Sequence, residues 1–108
     1  MHWLALLGAI AFEIIGTLSL KATDGFRRVG PTLVVLVGYG LSFWLLSVAL
    51  RGIEVGVAYA IWSAVGTTVI AAFGILAWGE SVTTLKVVSL GLVVAGVVGL
   101  NLAARAPA

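Results

Sequence analysis

Glu13 lies in the middle of an apolar stretch, Trp3–Leu20, that is long enough to cross a lipid bilayer. An ionisable side chain near the bilayer centre costs at least about 2.5–3.5 kcal/mol on insertion scales, so its presence indicates a function. The chemistry that it offers is reversible binding of a proton or a cation. The structural alternative is a protonated, hydrogen-bonded strut between helices, and the glutamate alone does not distinguish the two.

The composition argues against most other chemistry. Hydrophobic residues make up 62% of the 108 residues and charged residues 9%, against roughly 25% charged residues in an ordinary soluble domain. There is no cysteine, and His2 is the only histidine, so we predict no metal site, no catalytic residue and no cofactor. The basic residues are dispersed between the apolar stretches, which argues against nucleic acid as a partner. The sequence indicates a membrane protein that is not an enzyme.

Short polar breaks divide the chain into four apolar segments, each close to or above the roughly 20 residues of a spanning helix. The segments are about Trp3–Leu20, Thr32–Leu50, Val55–Trp78 and Leu85–Ala104. The first break ends in a helix-starting proline, Pro31, and the third offers Ser81, Thr83 or Thr84 as a cap for the last helix. We predict an all-α membrane protein with a single transmembrane domain over residues 1–108 and four helices running up, down, up and down.

The charged residues in and around the polar breaks bear on how the protein inserts and assembles in the membrane. Lys21, Arg27, Arg28 and Lys86 fall on one side of the predicted membrane domain, and Arg51 and Arg105 fall on the other. This weak positive-inside bias is small enough to permit insertion in both orientations. Because four helices without a soluble domain enclose little volume, a substrate cavity requires a second copy. We therefore expect a homodimer, with dual topology permitting an antiparallel one.

Side chains that share a face with Glu13 are small or apolar. They are Ala9, Gly16, Thr17 and Leu20, at helical spacings of three, four and seven residues. Small residues on such a stripe either let another helix approach or leave open space beside the carboxylate.

Aromatic side chains occur on the second and third predicted helices. Tyr59 and Trp62 are three residues apart and share a face, and Tyr39 and Phe43 are four apart with Ser42 between them. Aromatic residues commonly form belts at the membrane interfaces, and this is the structural alternative. The functional hypothesis is a pocket in which these rings stack on a cation and Glu13 neutralises its charge. Cation–π contacts of this kind are worth about 2 kcal/mol or more when desolvated.

Glycines within the predicted helices suggest two further features. Gly66 is predicted to soften the third helix where an alternating-access movement needs a hinge. The fourth helix has no ionisable side chain between Leu90 and Leu102, and its small and Val-rich surface is predicted to form the dimer contact. The residues predicted for that contact are Ser89, Gly91, Gly96 and Val97.

Several of these segments resemble the small multidrug resistance transporters over the whole length of the chain. The matching segments are Ala11-Phe12-Glu13-Ile14-Ile15-Gly16-Thr17 through Lys21, Asp24-Gly25-Phe26 to Pro31, Ser42-Phe43-Trp44-Leu45-Leu46, and Ala58-Tyr59-Ala60-Ile61-Trp62-Ser63. A glutamate in the middle of the first helix, followed by the Tyr-Ala-Ile-Trp run, is highly specific.

The resemblance implies a proton-coupled exporter of cations in the bacterial plasma (inner) membrane, working as an antiparallel, dual-topology homodimer driven by the proton gradient. It implies that Glu13 binds a proton or the substrate, but not both at once. It also implies a pocket, a helix 3 kink at Gly66 and a helix 4 dimer contact over Ser89–Val97. The implied pocket residues are Ala9, Thr17, Tyr39, Phe43, Tyr59 and Trp62, and we group Ser42 with them.

Gly16 resembles the quaternary ammonium and multidrug branch of that family, because the branch that exports guanidinium-type metabolites typically has a tryptophan there. Phe12, by contrast, resembles the guanidinium branch, so a guanidinium exporter is one alternative. A second alternative is a small assembly subunit that transports nothing, and a third is a passive cation channel.

Overall fold

The computed structural model of the protein describes residues 2–105, and over this range the chain forms four α-helices and no β-strand. The helices are α1 (His2–Ala22), α2 (Val29–Ala49), α3 (Val55–Trp78) and α4 (Thr84–Arg105). All four are long and apolar enough to span a membrane. The predicted all-α class and the four spans are confirmed, and α3 has the predicted bounds.

The helix ends differ slightly from the prediction because polar groups extend the first turns. α2 begins at Val29 rather than Thr32, since the Thr32 amide donates to the Arg28 carbonyl and places Pro31 inside the first turn. A proline is tolerated there because its missing N–H would have no partner within the helix. α4 is capped by Thr83, one of the three predicted candidates, whose hydroxyl accepts a hydrogen bond of 3.0 Å from the Lys86 amide.

The described residues divide into two compact helical hairpins, with the boundary between Ile53 and Glu54. In the first, α1 packs against α2, and in the second, α3 packs against α4. No residue of α4 between Thr84 and Ala103 is fully buried, so this helix is largely exposed within the second hairpin. Each hairpin carries part of the predicted pocket.

The loop between α1 and α2 is organised by Thr23, which is 1% exposed. Its carbonyl accepts the amides of Arg27 and Arg28, and its hydroxyl accepts the amide of Phe26. These bonds hold three consecutive residues, Asp24 to Phe26, at φ values of 50°, 68° and 67°. A bulky residue such as Phe26 rarely adopts this left-handed conformation, so the Thr23 hydrogen bonds are needed to keep it there.

The α1–α2 contact is close because glycines meet at its centre. A Cβ at Gly38 would lie 3.0 Å from the Phe12 carbonyl oxygen and 3.4 Å from the Gly16 Cα. Ser42, one turn further along α2, is fully buried and donates a hydrogen bond of 2.7 Å to the Ala9 carbonyl. In lipid, where no hydrophobic force drives helices together, such small residues and interhelical hydrogen bonds hold the helices together.

We expect Gly38→Ala to destabilise the first hairpin by about 1–3 kcal/mol, because the added methyl group meets the α1 backbone, which cannot move aside as a side chain does. Gly40→Ala is the matched control, since a Cβ at that position meets nothing within 4 Å. Equilibrium unfolding of both variants in mixed micelles measures the difference. Equal stability of the two variants would contradict the close α1–α2 approach.

Candidate functional site

Glu13 is half-buried on α1, and its two carboxylate oxygens have different surroundings. Oε1 accepts a hydrogen bond of 3.0 Å from the Thr17 hydroxyl, one turn further along the helix. Oε2 is buried and has no hydrogen-bond partner among the described residues. A buried polar atom without a partner is costly, so the carboxyl group is suited to binding a proton or a cation at Oε2.

Thr17 links the carboxylate to the second helix. Its hydroxyl lies 2.7 Å from the Tyr39 hydroxyl as well as 3.0 Å from Glu13 Oε1. A threonine hydroxyl has one hydrogen, and here it points to Oε1, so the Tyr39 hydroxyl must donate to Thr17. The three side chains form a directed chain of hydrogen bonds, Tyr39 to Thr17 to Glu13, that ends on the carboxylate.

Gly16 supplies the space in which Tyr39 lies. A Cβ at Gly16 would be only 2.9 Å from ring atoms Cδ1 and Cε1 of Tyr39. The tyrosine ring therefore packs directly on the α1 backbone, and this position brings its hydroxyl to Thr17. The small residues beside Glu13 were expected either to let a neighbouring helix approach or to leave open space. At Gly16 the neighbouring helix approaches.

The other predicted pocket residues of the first hairpin differ in their surroundings. Ala9 and Ser42 are both fully buried and bonded to each other at the helix contact, so they fix the spacing of α1 and α2. Phe43 is 56% exposed on the surface of the chain. Their assignment to a substrate pocket remains a prediction.

On the second hairpin, Tyr59 and Trp62 contact each other. Their ring centroids are 5.3 Å apart and the ring planes are inclined by 78°, an edge-to-face arrangement. Tyr59 is 57% exposed, and its role in a substrate pocket remains a prediction. The structure brings together Glu13, Thr17 and Tyr39 on one hairpin, and Tyr59 and Trp62 on the other.

The remaining predicted positions lie on α3 and α4. Gly66 is buried within α3, which continues through it without interruption, and its role as a hinge remains a prediction. Ser89, Gly91 and Gly96 are exposed on α4, and Val97 is half-buried, so most of the predicted dimer contact is on the outer surface of the hairpin. No group of three or more potential metal-binding side chains occurs among the described residues.

Comparison with known proteins identifies the family. The family model described as Small Multidrug Resistance protein matches residues 1–93, which cover all of α1, α2 and α3. The chain belongs to the small multidrug resistance family. It is accordingly a multi-pass protein of the bacterial inner membrane, and the family consists of transporters.

Curated relatives of this family match nearly the full length of the chain. The quaternary ammonium compound-resistance protein QacE of Escherichia coli is 45% identical over 106 residues, covering 98% of this chain and 96% of its own. The multidrug resistance protein Mmr of Mycobacterium tuberculosis is 48% identical over 104 residues, covering 95% and 97%. A putative ethidium bromide resistance protein of Escherichia coli is 43% identical over 93 residues, covering 86% and 81%.

The contact that Gly38 makes in this small multidrug resistance protein was not predicted from the sequence. The spacing of Gly38 does indicate a shared packing face. Gly38 lies four residues before Ser42 and three after Val35, so all three are on one face of α2. The sequence does not say that this face meets the Gly16 face of α1.

Fluorine NMR of protein labelled with 3-fluorotyrosine tests the Tyr39 position, because the chain has only two tyrosines, Tyr39 and Tyr59. We expect Gly16→Ala and Thr17→Val to shift the Tyr39 resonance, since the first displaces the ring and the second removes its hydrogen-bond acceptor. Thr17→Ser keeps the hydroxyl and should leave the resonance close to that of the wild type.

Tyr59 gives the second resonance in the same spectra, and Tyr59→Phe identifies it by its loss. A Tyr39 resonance that is unaffected by both Gly16→Ala and Thr17→Val would contradict the hydrogen-bond chain.

Proposed function

We propose that this protein exports lipophilic and quaternary ammonium cations from the bacterial cytoplasm in exchange for protons. The observation that carries the proposal is the buried, unpartnered Oε2 of Glu13 in a membrane-spanning helix. The names of the QacE and Mmr relatives support the substrate class, since they refer to quaternary ammonium compounds and to multiple drugs.

Exclusive occupancy of Glu13 provides the coupling. A proton on the carboxyl group removes the charge that attracts a cation, and a bound cation occupies the position that the proton needs. Protons entering from outside therefore release the substrate there, and loss of the protons to the cytoplasm allows a new cation to bind. Each elementary charge that crosses 100 mV contributes about 2.3 kcal/mol, so a net inward movement of charge drives export against a gradient.

Thr17 and Tyr39 hold the carboxylate in position for this exchange. Their hydrogen bonds occupy Oε1 and leave Oε2 for the proton or the cation. The side chain loses rotational freedom when it is held in this way before the ligand arrives, and less entropy is then lost on binding.

The working unit in this proposal is an antiparallel homodimer with two Glu13 carboxylates near the membrane midplane. Support comes from α4, which has no buried residue between Thr84 and Ala103, and from the loops within residues 2–105, which are too short to enclose a substrate. The rings of Tyr59 and Trp62, and the exposed ring of Phe43, supply faces for the cation. Gly66 provides the hinge in α3.

Uptake of labelled tetrapropylammonium into proteoliposomes with an acidic interior, at zero membrane potential, tests the coupling. We expect the wild type to accumulate the cation above its external concentration only while the pH gradient lasts. Glu13→Gln keeps the shape and hydrogen-bonding capacity of the side chain but cannot exchange a proton, so accumulation should fall to the level of empty liposomes. Glu54→Gln, which removes an exposed carboxylate from the second loop, is the matched control and should transport normally.

Each alternative predicts a different result in this assay. A passive channel would equilibrate the cation without accumulation, with or without the gradient. A non-transporting assembly subunit would show no uptake in any variant, and a strut role for Glu13 would leave Glu13→Gln as active as the wild type. A guanidinium exporter would accumulate labelled guanidinium but not tetrapropylammonium.

The aromatic contribution is tested at Tyr59, whose ring is exposed. We expect Tyr59→Phe to bind tetrapropylammonium within about twofold of the wild type, because the ring face is kept. Tyr59→Leu should weaken binding by about thirtyfold, which corresponds to a desolvated cation–π contact of about 2 kcal/mol. Isothermal titration in detergent measures both, and equal affinity of the Phe and Leu variants would exclude a role for the ring face.

A further inference from the structure

A groove on the first hairpin lies away from the Glu13 site. It has a volume of about 330 Å³ and is lined by Phe12 and Ile15 of α1 and by Leu33, Val34, Val37 and Gly38 of α2. Ile15 follows Glu13 by two residues and Val37 precedes Tyr39 by two, so each pair of side chains leaves its helix on roughly opposite sides. The groove is therefore on the reverse side of the hairpin from the Glu13, Thr17 and Tyr39 chain.

The groove is apolar and open to the surroundings of the hairpin. Ile15, Leu33 and Val37 are 50%, 54% and 59% exposed. A groove of this kind in a bilayer accommodates an acyl chain. Lipid tails are as apolar as leucine, however, so the apolar surface by itself gives little preference for one lipid over another.

Arginine side chains at one end of the groove provide that preference. Ala22 lies seven residues after Ile15, on the same face of α1 and about 10 Å further along it. Its carbonyl accepts a hydrogen bond of 3.4 Å from Nη1 of Arg28. The guanidinium group of Arg28 is thereby held at the end of α1 towards which the groove runs.

The loop places Arg27 beside Arg28 in a fixed conformation. Both amides donate to the Thr23 carbonyl, at 2.9 and 3.1 Å, and both residues are exposed. Lys21 adds a third positive charge and Asp24 a single negative one, so the region carries a net charge of +2. Basic residues just outside a membrane-spanning helix attract anionic lipid head groups by about 1 kcal/mol each.

We propose that this groove binds one anionic phospholipid, with an acyl chain along Phe12, Ile15 and Val37 and the phosphate at Arg27 and Arg28. Arginine suits this role because its planar guanidinium group forms paired hydrogen bonds with phosphate oxygens. The apolar groove fixes the position of the lipid, and the arginines select its charge. The groove lining does not include Glu13, Thr17 or Tyr39, so this proposal does not depend on cation transport.

Native mass spectrometry of the full-length protein from micelles with equal amounts of phosphatidylglycerol and phosphatidylcholine tests the proposal. We expect the wild type to retain phosphatidylglycerol preferentially. Arg28→Gln should reduce this preference about fivefold, the factor that corresponds to about 1 kcal/mol. Arg51→Gln, which removes an exposed charge from the loop between the two hairpins, is the matched control and should keep the full preference.

A second pair of variants tests the groove itself. Val37→Trp fills it and should reduce retention of both lipids, whereas Leu36→Trp adds the same ring at a 61% exposed position outside the groove lining and should not. The proposal is overturned if the wild type shows no preference for phosphatidylglycerol, if Arg51→Gln loses the preference as strongly as Arg28→Gln, or if both tryptophan variants retain lipid as the wild type does.

Discussion

The close approach of α1 and α2 at Gly16 and Gly38 is the contact on which the rest of the site depends. Without side chains at these two positions the helix backbones come near enough for Ser42 to bond to the Ala9 carbonyl and for the Tyr39 ring to lie on α1. That ring position delivers the hydroxyl to Thr17, and Thr17 in turn holds Glu13. A backbone contact with no charge of its own therefore determines the position of the carboxylate.

The low polarity of the bilayer explains why the carboxylate needs such support. An ionisable group in the middle of a spanning helix has no water to solvate it, so its partners must come from the protein. Here the partner is the Thr17 hydroxyl, which is itself bonded to the Tyr39 hydroxyl, and neither group adds further charge to the membrane interior. The described arginines and lysines lie in the loops or near the helix ends, where long basic side chains can reach the membrane interface.

Much of the fold could be predicted from the sequence, because the apolar segments and the polar breaks between them are unambiguous. Glu13 could be identified because it is the one ionisable residue within an apolar segment of the first helix. Helical spacing also predicts that Thr17 shares a face with Glu13 and that Tyr59 shares a face with Trp62. The Tyr39 to Thr17 bond could not be predicted, because spacing defines a face of each helix but not which face of another helix it meets. The left-handed conformation of Phe26 was also unpredictable, since it depends on the hydrogen bonds of Thr23 rather than on any preference of phenylalanine.

The hydrogen-bond chain on the first hairpin runs in one direction and ends on only one of the two carboxylate oxygens. With Oε1 as an acceptor, the hydrogens of Tyr39 and Thr17 both point towards Glu13. Because this chain occupies Oε1, a proton or a cation that binds at Oε2 leaves both hydroxyl groups in place. In the proposed exchange the two oxygens of one carboxyl group therefore have separate tasks: Oε1 anchors the side chain and Oε2 exchanges its ligand. The ligand can change while the hydrogen bonds between α1 and α2 stay the same.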